Sequence, residues 1–179
     1  MITQLKNPLT SSYKSFKEYV LGDQFPWFWW EESTKGLNVD GYDNFGFFSH
    51  SFLTRPGENG FLYSKQNCQF LNNAHHVFLE IIKENDIKVE AIHRMNANCI
   101  IPTKQQKYSS PHVDHEFPHK NCLIYMTNTG GNLCVFGQDG RRTEHSPKED
   151  DIIIFDGNLK HCPKPPKQGR RISIVITYS

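Results

Sequence analysis

From about Val89 to the C-terminus, this 179-residue chain shows no helical period; short apolar runs alternate with turn signals instead. The runs are "VEAIHRMNANCI", "CLIYMT", "NLCVF", "DIIIF", "LKHC" and "RISIVITY", and between them lie "NTGG", "GQDG", "SPKED" and "DGN". Asp139-Gly140 and Gly157-Asn158 read as hairpin dipeptides, because Gly and Asn reach the left-handed backbone of such turns at little cost. Several short strands at this spacing predict an antiparallel sandwich or barrel.

The first half reads differently. Ser11 or Ser12 is placed to cap a short helix carrying Tyr13, Phe16 and Val20, ending at Gly22. "FPWFWW" (25–30) and "NFGFFSHSFL" (44–53) are aromatic and β-prone, and the first is expected to cover the core. Between Gln66 and Glu84, the residues Phe70, Leu71, Ala74, Val77, Phe78, Ile81 and Ile82 form one broad helical stripe. The expected fold is therefore mainly β, of the α+β kind. A helical and aromatic N-terminal layer (1–88) packs on a β core (89–179), all in a single domain over 1–179 with "CPKPPKQG" (162–169) as a loop between the last two strands.

Lys plus Arg number 20 against 19 Asp plus Glu, so no strong field attracts nucleic acid or an anionic membrane, and neither is an expected partner. With no long apolar run and no apolar stretch in "MITQLKNPLTSSYKSF", the expectation is a soluble, cytoplasmic protein. Cysteines 68, 99, 122, 134 and 162 are scattered without a CxxC pair, which speaks against a disulfide framework or a zinc ribbon.

The densest chemistry lies in "PHVDHEFPHKN" (111–121). In a strand, residues i and i+2 share a face, so His112 and Asp114 reach one ion while Val113 and His115 point away. A third ligand must come from elsewhere, and His161, at the end of "DIIIFDGNLKH", is the candidate. Two imidazoles and one carboxylate make the facial triad of non-haem Fe(II), with neighbouring positions left open. Downstream, Arg171, Ser173, Val175 and Thr177 share one strand face and Arg170, Ile172, Ile174 and Ile176 the other. The first face mixes polar with small residues, as a ligand-lined interior does, which favours Arg171 over Arg170 as a bidentate carboxylate partner.

His112-x-Asp114, the distal His161 and Arg171-x-Ser173, with "KNCLIYMTN" between them, resemble the 2-oxoglutarate and Fe(II)-dependent oxygenases, in particular small prolyl-hydroxylase-like members from bacteria and phage. The resemblance spans about Ile92 to Tyr178. It implies a double-stranded β-helix (jelly-roll, cupin-like) core with supporting helices. It makes His112, Asp114 and His161 the iron ligands, and Arg171 and Ser173 the holders of the distal carboxylate of 2-oxoglutarate. Tyr125 matches a Tyr whose hydroxyl reaches that carboxylate, although Met126-Thr127 stands where the family has Leu-Asn. Asn98 resembles an Asn at the keto-acid end. The implied chemistry consumes O2 and 2-oxoglutarate, releases succinate and CO2, and hydroxylates an unactivated C–H, with ascorbate as a possible reductant. Family members that halogenate lack the carboxylate seen here as Asp114. The implied substrate is a prolyl or other residue of a protein or peptide, with a free amino acid or small metabolite as the alternative.

Other readings stand beside this one. "HVDH" matches the end of an HxHxDH zinc motif, but Ser110 occupies the position of its first His. A non-catalytic jelly-roll binding module is the third class. His115 and His119 are expected as structural or substrate-rim residues, with Glu116 where substrate would enter, His50 as a partly buried structural residue, and His75 and His76 on the long helix without a ligand role. His93 and His145 carry no assignment.

Overall fold

The computed structural model describes residues 1–57 and 63–179. Among these described residues, ten strands and two helices follow in the order β1 (Thr3–Leu5), α1 (Ser11–Leu21), β2 (Phe28–Trp30), β3 (Phe47–Leu53), α2 (Leu71–Glu84), β4 (Ile92–Ile100), β5 (Lys120–Tyr125), β6 (Leu133–Phe136), β7 (Arg142–His145), β8 (Ile152–Asp156), β9 (His161–Pro163) and β10 (Arg171–Tyr178). The main sheet has strand order β1-β8-β5-β10-β4-β3-β2, and a smaller sheet has order β7-β6-β9. The segment 109–112 lies alongside β9 and extends the smaller sheet: Ser109 N–H donates to the Pro163 carbonyl, and His112 and His161 exchange backbone hydrogen bonds of 3.0 and 2.9 Å.

Each apolar run of the second half forms a strand, and the two-residue periodicity then sorts the side chains of β10 to opposite faces. Ile172, Ile174, Ile176 and Tyr178 face outward and pack with Tyr13, Phe16, Val77, Phe78 and Ile81 of the helices. The inner face carries Arg171, Ser173, Val175 and Thr177, and a smaller apolar core of Leu123, Tyr125, Leu133, Val135, Ile153, Phe155 and Val175 fills the space between the two sheets. Burial of such side chains stabilises the fold by about 1.5–3 kcal/mol apiece.

Several details differ from the sequence expectations. Thr10, not Ser11 or Ser12, caps α1, its hydroxyl accepting from the Tyr13 N–H at 3.1 Å. The division at residue 88 does not separate two layers, since β1, β2 and β3 all join the main sheet. Asp139-Gly140 closes the β6–β7 hairpin, whereas Gly157-Asn158 carries the chain from the main sheet (β8) to the smaller one (β9). Of "FPWFWW", Phe25 is buried, but Phe28, Trp29 and Trp30 are 60%, 52% and 50% exposed on β2, the last strand of its sheet, although Phe28 stacks on His50 and Trp29 packs on Phe48. Among the described residues, no helix is long and apolar enough to cross a membrane.

Candidate metal centre and anion pocket

Pairing fixes the first two candidate metal-site residues. His112 and His161 stand directly opposite one another at the edge of the smaller sheet, and their rings lie 4.6 Å apart. Asp114 follows after the pairing has ended, in a bend, and its Oδ2 lies 3.4 Å from His161 Nε2. One ligand atom from each of His112, Asp114 and His161 falls within 4.8 Å of the others. Burial, and then the neighbouring His161, push His112 down to about 4. Burial alone would raise Asp114, but His161, Arg94 and His112 together hold it well below the usual carboxylate range. Near neutral pH, His112 is therefore neutral and Asp114 ionised, the forms in which these groups bind a metal.

Beneath this triad, the inner face of the main sheet presents polar rows across three strands. One row is Asn98, Ser173 and Tyr125, aligned by the registers of β4, β10 and β5. Another, two rungs further along, is Arg94, Thr177 and Asn121. At the first row Arg171, 3% exposed, places its guanidinium 5.4 Å from the centre of the Tyr125 ring. Beyond their contact with each other, the Tyr125 hydroxyl and Arg171 Nε are both buried without a hydrogen-bond partner. A buried donor left in that state is costly, so the pair marks a place built for an acceptor. Burial raises Tyr125, with Arg171 opposing, so the phenol stays protonated and able to donate. Arg170 is exposed.

Asn98 is already engaged: its Oδ1 accepts from Ser49 Oγ at 2.9 Å and from Asn96 Nδ2. His145 lies at the Tyr125 end, with ring centres 5.4 Å apart. His115 and His119 take the structural place of the two expected for them, not the rim. His115 is buried, with Nε2 2.8 Å from Thr177 Oγ1, and His119 is buried against Gly157. Because 112–115 is not a regular strand, its side chains do not alternate, and Asp114 and His115 both turn toward the main sheet. Glu116 is exposed, His50 packs among Phe25, Phe28 and Phe52, and His76 pairs with Glu80 on the surface of α2.

Sequence reasoning missed Arg94 and Asn121, and gave Thr177 its place on the inner face without a role. Arg94 donates to Asp114 Oδ1 at 3.0 Å and Asn121 donates to Asp114 Oδ2 at 3.1 Å. The alternation Arg94, Asn96, Asn98 against Met95, Ala97, Cys99 was the available signal that β4 turns a polar face to the interior.

No protein-family model matches the sequence, and no curated protein matches it. Solved structures do. An oxidoreductase of the 2OG-Fe(II) oxygenase family from Burkholderia pseudomallei superposes with a TM-score of 0.70, over 99% of this chain and 84% of its own, at 15% identity. The chain has the fold of these oxygenases. A prolyl hydroxylase from Trichoplax adhaerens, in complex with a peptide fragment of the hypoxia inducible factor oxygen degradation domain, gives 0.64 at 15% identity, over 99% and 82% of the two chains. A prolyl-4-hydroxylase from Pseudomonas putida gives 0.55 at 13%, over 99% and 91%. The double-stranded β-helix core expected from the sequence is thus the fold found.

The residues present fit the groups that this fold implies. Two imidazoles and one carboxylate converge as an Fe(II) donor set, and the unpartnered donors of Arg171 and Tyr125 suit a carboxylate of 2-oxoglutarate.

Proposed function

We propose that this chain is a 2-oxoglutarate- and Fe(II)-dependent dioxygenase that hydroxylates an unactivated C–H of a prolyl or other amino-acid residue in a protein or peptide. The observation that carries this reading is the convergence of His112, Asp114 and His161 within 4.8 Å, beside a buried Arg171–Tyr125 pair with unpartnered donors. Bound iron and 2-oxoglutarate supply the oxidising chemistry, with succinate and CO2 as co-products. The chain's own residues position and shield. His112, Asp114 and His161 hold the ion, Arg171 and Tyr125 receive the distal carboxylate, and Ser173 stands beside them in the same row. The apolar residues between the sheets keep water from the site.

Five free cysteines suit an intracellular compartment, and ascorbate is a reductant to include in assays. The test is an anaerobic titration with Fe(II) and 2-oxoglutarate, for which a weak visible charge-transfer band is expected. Zinc binding without such a band sinks the proposal. Succinate release against peptides, free amino acids and oligonucleotides then decides the substrate; release with amino acids alone would replace the peptide with a small metabolite.

A further inference from the structure

One rung of the main sheet touches the candidate metal site without supplying a ligand to it. Thr177 of β10 pairs with Arg94 of β4 on one side and Asn121 of β5 on the other, and all three side chains face inward. Two consecutive residues of the HVDH segment dock on that rung. Asp114 receives Arg94 on Oδ1 at 3.0 Å and Asn121 on Oδ2 at 3.1 Å, while His115 Nε2 meets Thr177 Oγ1 at 2.8 Å. The Asp114 side chain is only 7% exposed and that of Arg94 17%.

We infer that Arg94 and Asn121 are positioning residues for Asp114, and that Thr177 anchors the segment carrying it through His115. The inference rests on the reading of His112, Asp114 and His161 as metal ligands. Asp114 lies beyond the last backbone pairing of its segment, so backbone structure does not orient its carboxylate. Rotation about the Cβ–Cγ bond would let a free carboxylate present either oxygen. With Arg94, and Arg55 at 3.9 Å, on Oδ1 and Asn121 on Oδ2, the plane is set, and Oδ2, the oxygen 3.4 Å from His161 Nε2, stays on the side of the two imidazoles. Charge-assisted and neutral donors also offset the cost of keeping an ionised carboxylate buried. Partners that orient a ligating group in this way are worth roughly 10–100-fold in metal affinity.

A merely structural role for the rung predicts something different: its loss would weaken the fold and leave the metal affinity of the folded protein intact. The test is Mn(II) binding by the full chain, measured by calorimetry at a temperature where circular dichroism shows each variant folded. Arg94→Met and Asn121→Leu are each expected to raise the Mn(II) Kd at least about tenfold, with Arg94→Lys recovering part of the loss. Should Arg94→Met not fold, Asn121→Leu, which removes a neutral donor, carries the test alone. A Kd within twofold of wild type for the folded variants overturns the inference and leaves the metal site standing. A wild-type chain that binds no Mn(II), or binds it as well after His112→Ala, overturns the site reading itself and this inference with it.

Discussion

His115 Nε2 lies 2.8 Å from Thr177 Oγ1, so the residue that follows Asp114, the candidate metal-site carboxylate, is tied to β10 of the main sheet. Burial, followed by the nearby His119, pushes His115 down to about 4 from an ordinary 6.5. As pH falls through 6.5 the unfolded chain takes up a proton that the folded chain refuses. The contribution is therefore intact above 6.5 and is lost progressively toward pH 4. Between pH 7 and pH 5 this one group removes about 2 kcal/mol of stability. Urea unfolding of the metal-free protein at the two pH values should show that loss, and His115→Asn should make it smaller by about that amount. An unchanged pH dependence in the variant would assign the loss to other groups.

Arg171 and Arg170 are neighbours with opposite surroundings, one buried over Tyr125 and the other in solvent. Losing a charge-assisted bidentate contact costs about 1.5–3 kcal/mol, so Arg171→Ala should weaken 2-oxoglutarate binding about 10–100-fold. Tyr125→Phe, which removes one neutral donor, should weaken it about fivefold. Arg170→Ala should stay within twofold. The concentration of 2-oxoglutarate that half-saturates succinate release measures all three, and a reversal of the two arginines would refute the pocket.

Gly157 presses on His119. A Cβ built there would lie 2.2 Å from His119 Nε2, closer than any relaxed contact allows. Gly157→Ala should therefore cost about 1–3 kcal/mol of stability through overpacking. His119→Ala, which removes the ring, should relieve most of the added cost when combined with it, a non-additivity readable from urea midpoints of the four proteins. Strict additivity would mean that the two do not compete for space.

What the sequence made legible follows from which signals were local. The apolar runs that became β4, β5, β6, β8, β9 and β10 announce themselves, and so do the stripe of α2 and the pair His112 and Asp114. β7 is the sequence RTEH, largely exposed on one side of a small sheet, so no hydrophobic pattern marks it. β1 is three residues held by pairing with β8 alone. The exposure of Phe28, Trp29 and Trp30 depends on β2 ending its sheet, which no property of those residues specifies. His115 was misplaced because strand alternation was extended past the point where backbone pairing stops. Arg94 and Asn121 lie 20 and 7 residues from Asp114 and reach it only through the registers of β4, β10 and β5.

Gly131 gives the sharpest separation of backbone from side-chain effects. It holds φ at 85°, and a Cβ there would lie 2.7 Å from the Lys164 carbonyl oxygen and 3.0 Å from Arg171 Cδ. Gly130 beside it holds φ at 72° but has open space where its Cβ would stand. Both Gly→Ala changes carry the cost of an L-residue in left-handed backbone, about 1 kcal/mol. Only Gly131→Ala also pushes on the Lys164 backbone and on the stem of Arg171, whose Nη1 is 3.4 Å from the Lys164 carbonyl. Gly131→Ala should thus lose more stability than Gly130→Ala and weaken 2-oxoglutarate binding about tenfold, as a shifted charge-assisted contact would, while Gly130→Ala binds as wild type. Parallel urea melts and 2-oxoglutarate titrations of the two variants make the comparison. Equal 2-oxoglutarate affinity would show that Arg171 reaches its ligand independently of the Gly131 loop.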